Sequence, residues 1–462
     1  MTALLLLAVF SVILAWPEAS PEAVRRASEL GAAVLVVPAA ARAPAAPQGI
    51  EILAAADADP DAIERAKRAG FLGVMIAAPE SETALRALLE RHGPFIRIVA
   101  LKREQAHWDV SPATAAVRAG QWPGLMALDG EAAATEQPWI NGNLHTFAWL
   151  EGFFPKRAPV LDYEPPADSM QYEGAEIALA EAWAFGGAVV LRLPPAYREG
   201  LAKGDPRARA AWERLCSVAA FLRQKGSGLR QPASTLAVLV PQWDEEFEEI
   251  LNLAWRQQLS PRVIPSAAFS APRGLRMAVV ANHTPPQQTL ERLREFAGAG
   301  GHVLVTPEPG AAGKAWWSGA KRESRVDGLE TFRLGRGTVR VMEEPALDPF
   351  VFALDLREQL GMDNPLGRGL HGLDVRIWHA ATALPVLRRQ KEGELTVVLI
   401  GYGRWIGHDF LAGARGDFRS ARLEQPGSEA TALKLMPRGG RVEWNQPGLH
   451  RIAVITLEEA VR

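Results

Sequence analysis

The chain has 462 residues, of which 48% are hydrophobic and 23% are charged, so two or three globular domains are expected. Its formal net charge of −2 comes from interspersed acidic and basic residues, which argues against a nucleic-acid-binding face. The single cysteine, Cys216, excludes an intramolecular disulfide and a cysteine-rich metal site.

The chain begins with an apolar run, MTALLLLAVFSVILA, that is too short for a comfortable membrane span. It is typical of the hydrophobic region of a secretory signal with cleavage after Ala15, although no Lys or Arg precedes it. We therefore predict a secreted or periplasmic protein. A second interpretation stays open, in which VILAWP is a buried first strand.

Residues 14–223 alternate apolar strand patterns with helical patterns, and glycines close most of the helical segments. Asp59, Ser81 and Ser111 suit helix starts, and the last of these predicts a helix over 111–120. The candidate strands are 14–17, 33–37, 50–54, 72–77, 95–100, 124–128, 159–163 and 188–193. Eight strands in β-α alternation predict a (β/α)8 TIM barrel, with an open doubly wound sheet as the alternative.

The remainder of the chain predicts two smaller domains. The linker KGSGLRQPAS at 225–234 precedes a second strand–helix alternation, which predicts a small parallel α/β domain ending in a hairpin around Gly335. Short strands separated by turns then predict an antiparallel β-sandwich. The predicted boundaries are 1–15 for the signal peptide, 16–228 for the barrel, 229–345 for the α/β domain and 346–462 for the sandwich.

Three stretches carry a resemblance to a known family: MAVVANHTPPQQTLERLREFAGAGGHVLVTPEPG at 277–310, LTVVLIGYG at 395–403 and PWINGNLHTFAWLEGFFP at 138–155. With the three-part order, they resemble β-galactosidase-type glycoside hydrolases that carry a trimerisation domain, and bacterial hydrolase-like proteins of exported type. The resemblance implies a TIM barrel, an inactive amidotransferase-like middle domain that packs subunits into a trimer, and a saccharide as ligand.

Acidic side chains follow several of the predicted barrel strands, at the end where barrel enzymes place their catalytic groups. Hydrolysis of a glycoside needs two carboxyl groups, one protonated and one ionised. The candidates are Glu80 after strand four, Asp129 and Glu131 after strand six, and Glu164 after strand seven. Each has a structural alternative as a turn, loop or helix-start carboxylate. Barrel glycosidases of the large clan place Asn before the strand-four Glu, whereas Pro79 stands there in this sequence.

Aromatic and amide side chains near the strand ends predict saccharide contacts, because indole faces match sugar rings and amides both donate and accept hydrogen bonds. The alternative for the 138–149 segment is an N-capped helix with buried aromatic residues. The candidate binding residues are Trp108, Trp139, Asn141, Asn143, His145, Asp162 and Arg192.

Other chemistries lack their signatures, since the sequence contains no G-x-S-x-G, no phosphate-binding loop and no paired histidines. We therefore expect no cofactor and no metal. Two hypotheses follow: an exported glycoside hydrolase using a carboxylate pair at the barrel mouth, or a non-catalytic carbohydrate-binding or cell-surface interaction protein on a degenerate glycosidase barrel.

Overall fold

The computed structural model describes residues 11–39, 42–77, 81–101, 115–125, 139–226, 231–308, 316–326, 328–362, 372–403 and 407–460. The strands of the N-terminal region are β1 Ser11–Ala15, β2 Val34–Pro38, β3 Glu51–Ala56, β4 Gly73–Ala77, β5 Arg97–Leu101, β6 Ala115–Gly120, β7 Gly124–Leu125, β8 Ile140–Asn141, β9 Ala158–Tyr163 and β10 Ala188–Arg192. The helices there are α1 Pro21–Leu30, α2 Pro60–Arg68, α3 Glu82–His92, α4 Leu144–Phe153, α5 Gly174–Ala184, α6 Pro195–Lys203 and α7 Pro206–Lys225.

Eight of these strands form one parallel sheet in the order β5-β4-β3-β2-β1-β10-β9-β6. Strands that follow one another along the chain, such as β1 and β2, lie next to each other, and the first strand, β1, also pairs with the last, β10. This is the strand order of an α/β barrel and not of an open doubly wound sheet. Among the described residues, β5 and β6 occupy the two ends of this order. The region is therefore a curled parallel α/β sheet of the barrel class.

The sixth strand of this sheet corrects two predictions. Residues 115–120 form β6, although the sequence predicts a helix over 111–120, and the described part of the predicted strand 124–128, β7, pairs antiparallel with β8 and not with the eight-stranded sheet. The alanine-rich segment has the intrinsic propensity of a helix, but all six residues of β6 pair in parallel with β9, and tertiary pairing overrides a weak local preference. The other strands agree with the prediction except that β1 begins three residues earlier.

Strand β1 uses residues that the signal-peptide prediction assigns to the removed segment. Its residues SVILA are almost completely buried, and they pair with β2 on one side and β10 on the other. Cleavage after Ala15 would remove a strand from the middle of the sheet. The structure thus agrees with a buried first strand, and export of the protein stays a prediction.

Helix ends follow the capping chemistry visible in the sequence. The Asp59 side chain accepts a hydrogen bond from the Ala62 amide (3.0 Å) at the start of α2, and Ser81 does the same for α3. Gly31 ends α1 with a φ of 64°, a left-handed conformation that suits glycine. Ser111 lies outside the described residues.

A second sheet of seven strands follows the barrel region. Its order is β13-β12-β14-β15-β18-β17-β16, in which the first five strands are parallel and the last three form antiparallel hairpins. The elements are β12 Leu236–Val240, α8 Glu245–Arg256, β13 Arg262–Pro265, β14 Met277–Val280, α9 Gln287–Gly298, β15 His302–Val305, β16 Lys321–Val326, β17 Leu329–Leu334 and β18 Gly337–Met342. This confirms a parallel α/β unit and the hairpin at Gly335; its kinship with amidotransferases stays a prediction.

The C-terminal strands form two antiparallel sheets after helix α10 (Pro349–Met362). These strands are β19 Val375–Ile377, β20 Ala383–Arg389, β21 Glu394–Gly401, β22 Phe410–Arg415, β23 Phe418–Glu424, β24 Thr431–Ala432, β25 Met436–Arg438, β26 Arg441–Gln446 and β27 Ile452–Glu459, and the short strand β11 (Gln231–Pro232), which precedes the middle sheet, joins them. The sheet orders are β11-β20-β21-β27-β23-β24 and β19-β22-β26-β25. Leu399 of one sheet and Trp444 of the other belong to the same buried cluster, so the sheets share a core as in a sandwich.

The largest hydrophobic core joins all three regions. Leu179 of α5, Val238 of β12 and Val398 of β21 belong to this one cluster of buried side chains. The β-sandwich therefore packs against α5, and the middle sheet packs against α4.

Candidate active site

The inside of the barrel sheet is lined with aliphatic side chains. They form one buried cluster: Ile13, Val34, Val36, Leu53, Met75, Val117, Val160, Ala188 and Val190. Because side chains alternate along a strand, residues two positions beyond a member of this cluster point to the same side. Asp162 and Arg192 follow Val160 and Val190 in this way, so both point into the barrel at its C-terminal end.

Asp162 and Arg192 form a salt bridge between the adjacent strands β9 and β10. Arg192 Nη1 donates to Asp162 Oδ1, with the Asp162 side chain 2% exposed and the Arg192 side chain 30% exposed. A buried carboxylate requires such a partner, because an unpaired charge in this position would be strongly destabilising. The structure therefore brings these two candidate binding residues together and leaves the Arg192 side chain partly exposed.

Among the described residues, two small side chains lie at the C-terminal end of the barrel strands. Ala55 and Ala119 follow Leu53 and Val117 by two residues on β3 and β6, so they point inward. Both alanines are nevertheless exposed.

Glu164 follows β9 directly and is exposed. Pro165 and Pro166 come next, and a residue before proline is held in an extended conformation. If the alternation of β9 continues by one residue, Glu164 faces the same side of the sheet as Asp162. The other three candidate carboxylates, Glu80, Asp129 and Glu131, lie outside the described residues, as does Trp108.

Trp139 directly precedes strand β8, and Asn141 is the last residue of that strand. The Trp139 side chain is 52% exposed, and the guanidinium of Arg256 lies over its ring at 4.4 Å from the centroid. Asn141 is half-buried and pairs with Gly124 in the short β7–β8 ladder. Trp139 keeps exposed aromatic surface, which a sugar ring could contact.

Asn143 is buried and makes its contacts within the protein. Its backbone amide (2.7 Å) and its Nδ2 (2.9 Å) both donate to the carboxylate of Glu181 on α5. The same carboxylate accepts hydrogen bonds from the hydroxyl of Tyr163 on β9 (2.8 Å) and from the hydroxyl of Tyr402 in the C-terminal region (2.6 Å). Glu181 therefore receives four donors while completely buried.

This network connects the parts of the chain that shape the mouth. Asn143 also exchanges hydrogen bonds with the backbone of Gln121, just after β6, at 2.8 and 3.0 Å. Burial raises the pKa of Glu181, although its donors partly oppose this effect. Burial beside Glu181 also raises the pKa of Tyr163 and of Tyr402, so both hydroxyls stay protonated and donate.

His145 belongs to a second buried contact, between the barrel region and helix α8. Its Nε2 lies 3.5 Å from Glu248 Oε1, and its ring is parallel to that of Trp243 at 6.3 Å between centroids. The guanidinium of Arg118 lies over the rings of Trp149 (5.2 Å) and Trp243 (4.4 Å). Burial alone would raise the pKa of Glu248, but hydrogen bonding and positive charge from His145 and Arg118 outweigh it and lower that pKa.

Glu176 is a further buried carboxylate of helix α5. It lies 3.3 Å from Arg214 Nε of α7 and 3.4 Å from Arg451 Nε of the β-sandwich. Burial raises the pKa of Glu176, and the two arginines partly oppose that shift. These contacts attach α5 to both α7 and the sandwich.

Sequence reasoning did not predict Glu176 and Glu181 as central residues. A usable signal was present, since they are carboxylates in the otherwise apolar helix GAEIALAEAWA, and glutamate is almost never fully buried without partners. The partners themselves could not be identified, because Tyr402 lies 221 residues beyond Glu181.

No group of three or more His, Cys, Asp or Glu side chains within the described part of the chain is arranged to hold a metal ion. Among the helices in those same ranges, none is both long and apolar enough to cross a membrane.

Comparison with known proteins identifies the fold. The chain superposes on the α-L-fucosidase isoenzyme 2 from Paenibacillus thiaminolyticus with a TM-score of 0.59 at 10% identity, covering 98% of this chain and 100% of that chain. It superposes on a β-galactosidase from Rahnella sp. R3 with a TM-score of 0.53 at 10% identity, covering 97% of this chain and 98% of that chain. The fold is that of a glycoside-hydrolase-like α/β barrel protein.

This confirms the predicted resemblance to glycoside hydrolases at the level of the fold. The likeness extends over nearly the whole chain, so it includes the β-sheet regions as well as the barrel. No protein-family model and no curated protein matches the sequence. The trimer and the assignment of individual site residues stay predictions.

Proposed function

We propose that the protein binds a saccharide at the barrel mouth and hydrolyses a glycosidic bond there. One observation carries the proposal: in a glycoside-hydrolase-like fold, the exposed residue Glu164 directly follows barrel strand β9 at its C-terminal end, two residues after Asp162, which is buried and paired with Arg192. That end of the barrel is where enzymes of this architecture place their catalytic groups. The fucosidase and the galactosidase with the same fold support a saccharide as the ligand.

In this proposal Glu164 is the ionised carboxylate, acting as the nucleophile or as the base for water. The protonated partner comes from Glu80, Asp129 or Glu131. The separation of the two carboxyl groups decides the stereochemical outcome, with about 5–5.5 Å for retention and about 6.5–9.5 Å for inversion. Arg192 positions the substrate by donating to a hydroxyl group from its accessible side, while Asp162 fixes the orientation of the guanidinium.

The test uses the full chain against a panel of aryl glycosides and natural oligosaccharides, beside Glu164→Gln. We expect turnover by the parent protein and a fall in kcat of about 10²–10⁴-fold in the variant. The matched control is Glu213→Gln, which removes an exposed carboxylate from the outer helix α7 and should leave kcat unchanged. Turnover that survives in Glu164→Gln would remove this residue from the proposed chemistry.

The second candidate is a non-catalytic saccharide-binding protein. The observation that favours it is that three buried carboxylates among the described barrel residues, Asp162, Glu176 and Glu181, are all bound by other protein groups. Isothermal titration calorimetry decides between the candidates. Binding of an oligosaccharide with no turnover on the whole panel, by a protein that unfolds cooperatively, would support this second function.

A further inference from the structure

In the middle α/β sheet, the C-terminal ends of β13 and β14 lie on either side of β12. The sheet order is β13-β12-β14, and Pro265 of β13 and Val280 of β14 pair with the last two residues of β12. The chain thus leaves β12 for a neighbour on one side and then returns to a neighbour on the other. In open α/β sheets such a reversal of strand order marks a crevice for ligands at the carboxyl ends of the strands.

Ser266 and His283 form a hydrogen bond across the end of β12. Ser266 is the first residue after β13, and His283 is the third residue after β14. His283 Nε2 lies 2.9 Å from Ser266 Oγ, and His283 Nδ1 lies 2.8 Å from Ala281 O. Because a carbonyl oxygen can only accept, Nδ1 carries the proton, and Nε2 accepts a hydrogen bond from the Ser266 hydroxyl.

This arrangement is the one that nucleophilic catalysis requires. A hydroxyl is bonded to a base, and the base is oriented in turn by a third group, the carbonyl of Ala281. The surrounding sequence, IPSAAF at 264–269, contains no G-x-S-x-G motif. Such sites are recognised by geometry and by the role of each group, so the motif is not needed.

The surroundings of His283 favour proton transfer. Burial lowers the pKa of His283, so the imidazole is neutral at neutral pH and can accept a proton from the serine. The carboxylates of Glu308 and Asp244 act on this pKa in the opposite direction, and they would stabilise the imidazolium that forms on proton transfer. The ring of Phe247 packs nearly perpendicular to the imidazole, at 5.6 Å between centroids.

The turn between Ala281 and His283 sets the direction of the imidazole. Asn282 has a φ of 52°, in the left-handed region that asparagine tolerates better than most residues. Its amide donates to Thr306 Oγ1 at 2.8 Å, and Thr306 Oγ1 donates to Asn282 Oδ1 at 2.7 Å. These two bonds hold the turn in which His283 Nδ1 reaches back to Ala281 O.

Ser266 lies directly beneath the protein surface. It is 2% exposed, whereas Ala267 and Ala268, which follow it, are exposed and His283 is half-buried. The Ser266 carbonyl accepts a hydrogen bond from Thr289 Oγ1 at 2.7 Å, which fixes the backbone of the serine. A slender group fits such a position better than a bulky one, so the site favours a short acyl chain.

We propose that Ser266 and His283 form a second catalytic site, separate from the barrel mouth, that hydrolyses esters of short carboxylic acids such as acetate esters. Ser266 Oγ bonds to the acyl carbon while its proton passes to His283 Nε2. The ester C–O bond then breaks, and the leaving alcohol takes that proton. Water, deprotonated by His283, attacks the acyl-serine, releases the acid and restores the serine.

The experiment follows release of 4-nitrophenol from 4-nitrophenyl acetate and 4-nitrophenyl octanoate by the full chain. We expect turnover of the acetate above the uncatalysed rate and a lower kcat/KM for the octanoate. Ser266→Ala and His283→Gln should each lower kcat by about 10²–10⁴-fold. The matched control is Ser270→Ala, which removes an exposed serine nearby and should leave kcat unchanged. Turnover that survives in Ser266→Ala, or an octanoate cleaved as well as the acetate, would overturn the proposal.

A covalent probe tests the serine without any substitution. With diisopropyl fluorophosphate, Ser266 Oγ would displace fluoride from phosphorus while its proton passes to His283. Mass spectrometry of peptides from the parent protein should place the label on Ser266 and not on Ser270, and His283→Gln should lose the label. A folded parent protein that is neither labelled at Ser266 nor active on the acetate would refute the site.

The outcome is independent of catalysis at the barrel mouth. Glu164→Gln should hydrolyse the acetate as the parent does, whether or not the protein hydrolyses glycosides. Loss of esterase activity in Glu164→Gln would place the reaction at the barrel mouth and would overturn the second site.

Discussion

Asp162 and Glu181 are buried carboxylates on opposite sides of strand β9, and the protein stabilises them in different ways. Asp162 points into the barrel and is paired with the positive charge of Arg192. Glu181 lies behind the strand and is held by four donors from uncharged groups, one of which belongs to Tyr402 of the β-sandwich. Asp162, the inner carboxylate, forms a charged pair with Arg192 at the mouth, where a saccharide would bind. The outer one joins the walls of the mouth to the rest of the molecule.

The change with the largest expected effect tests whether the Asp162–Arg192 pair and the Glu181 network both depend on strand β1. Deleting residues 1–15 removes strand β1, which pairs with β10. In this pairing Ala15 of β1 is in register with Arg192 of β10. We expect this variant to lose cooperative thermal unfolding, because the sheet would be opened at its centre and its core exposed. Circular dichroism and size-exclusion chromatography measure this, with deletion of residues 1–10 as the control. A stably folded protein lacking residues 1–15 would restore the predicted signal peptide.

Removing the outer carboxylate should be the next most severe change. Glu181→Ala leaves the donors of Asn143, Tyr163 and Tyr402 buried without an acceptor and creates a cavity, and we expect it to lower the free energy of unfolding by about 3–5 kcal/mol. Urea denaturation provides the measurement. Glu291→Ala on the exposed face of α9 is the control. A loss below about 1 kcal/mol would show that the network contributes little.

Removing the partner of the inner carboxylate should cost somewhat less. Arg192→Met leaves Asp162 without its positive charge, and we expect a loss of about 2–4 kcal/mol, since the arginine is partly exposed and its pairing partly screened. Adding Asp162→Asn should recover most of that loss because the uncompensated charge is then gone. Additive losses in the double variant, measured by urea denaturation, would argue against a paired charge.

The smallest expected effect is on how the free energy of unfolding depends on pH. Burial raises the folded-state pKa of Glu181, so its protonation stabilises the folded protein at low pH, and this contribution is lost as pH rises through the folded-state pKa. Glu181→Gln removes the titration. The stability of the variant relative to the parent should therefore improve as pH rises from about 4 toward neutrality. Urea denaturation across this range is the measurement, and a pH-independent difference would contradict the shift.

Much of the fold was predictable from local patterns. Helix starts at Asp59 and Ser81 and the glycine at the end of α1 are local chemical signals, and the predicted helix bounds agree closely with the observed ones. Strand β6 was not predictable, because its alanine-rich sequence favours a helix and becomes a strand only through pairing with β9. The error shifted the predicted end of strand six by eight residues, from Gly120 to Leu128.

The candidate site was predictable in part. Glu164, Asp162 and Arg192 were identified because strand ends can be located from an apolar run followed by polar residues. The roles of Asn143 and His145 depend on burial and on partners from α5 and α8, which no local pattern reveals. Both residues make protein contacts in the structure, so the proposed function does not use them.

The sequence by itself determined the alternation of strands and helices, the three successive regions and the residues near the barrel strand ends, because periodicity and capping act over a few neighbouring residues. Only the tertiary structure decided that residues 11–15 belong to the sheet, that Asp162 is paired, and that Glu181 joins the barrel to the β-sandwich. These features depend on contacts such as Ser11 with Ala188 and Glu181 with Tyr402, which form only when distant segments pack together.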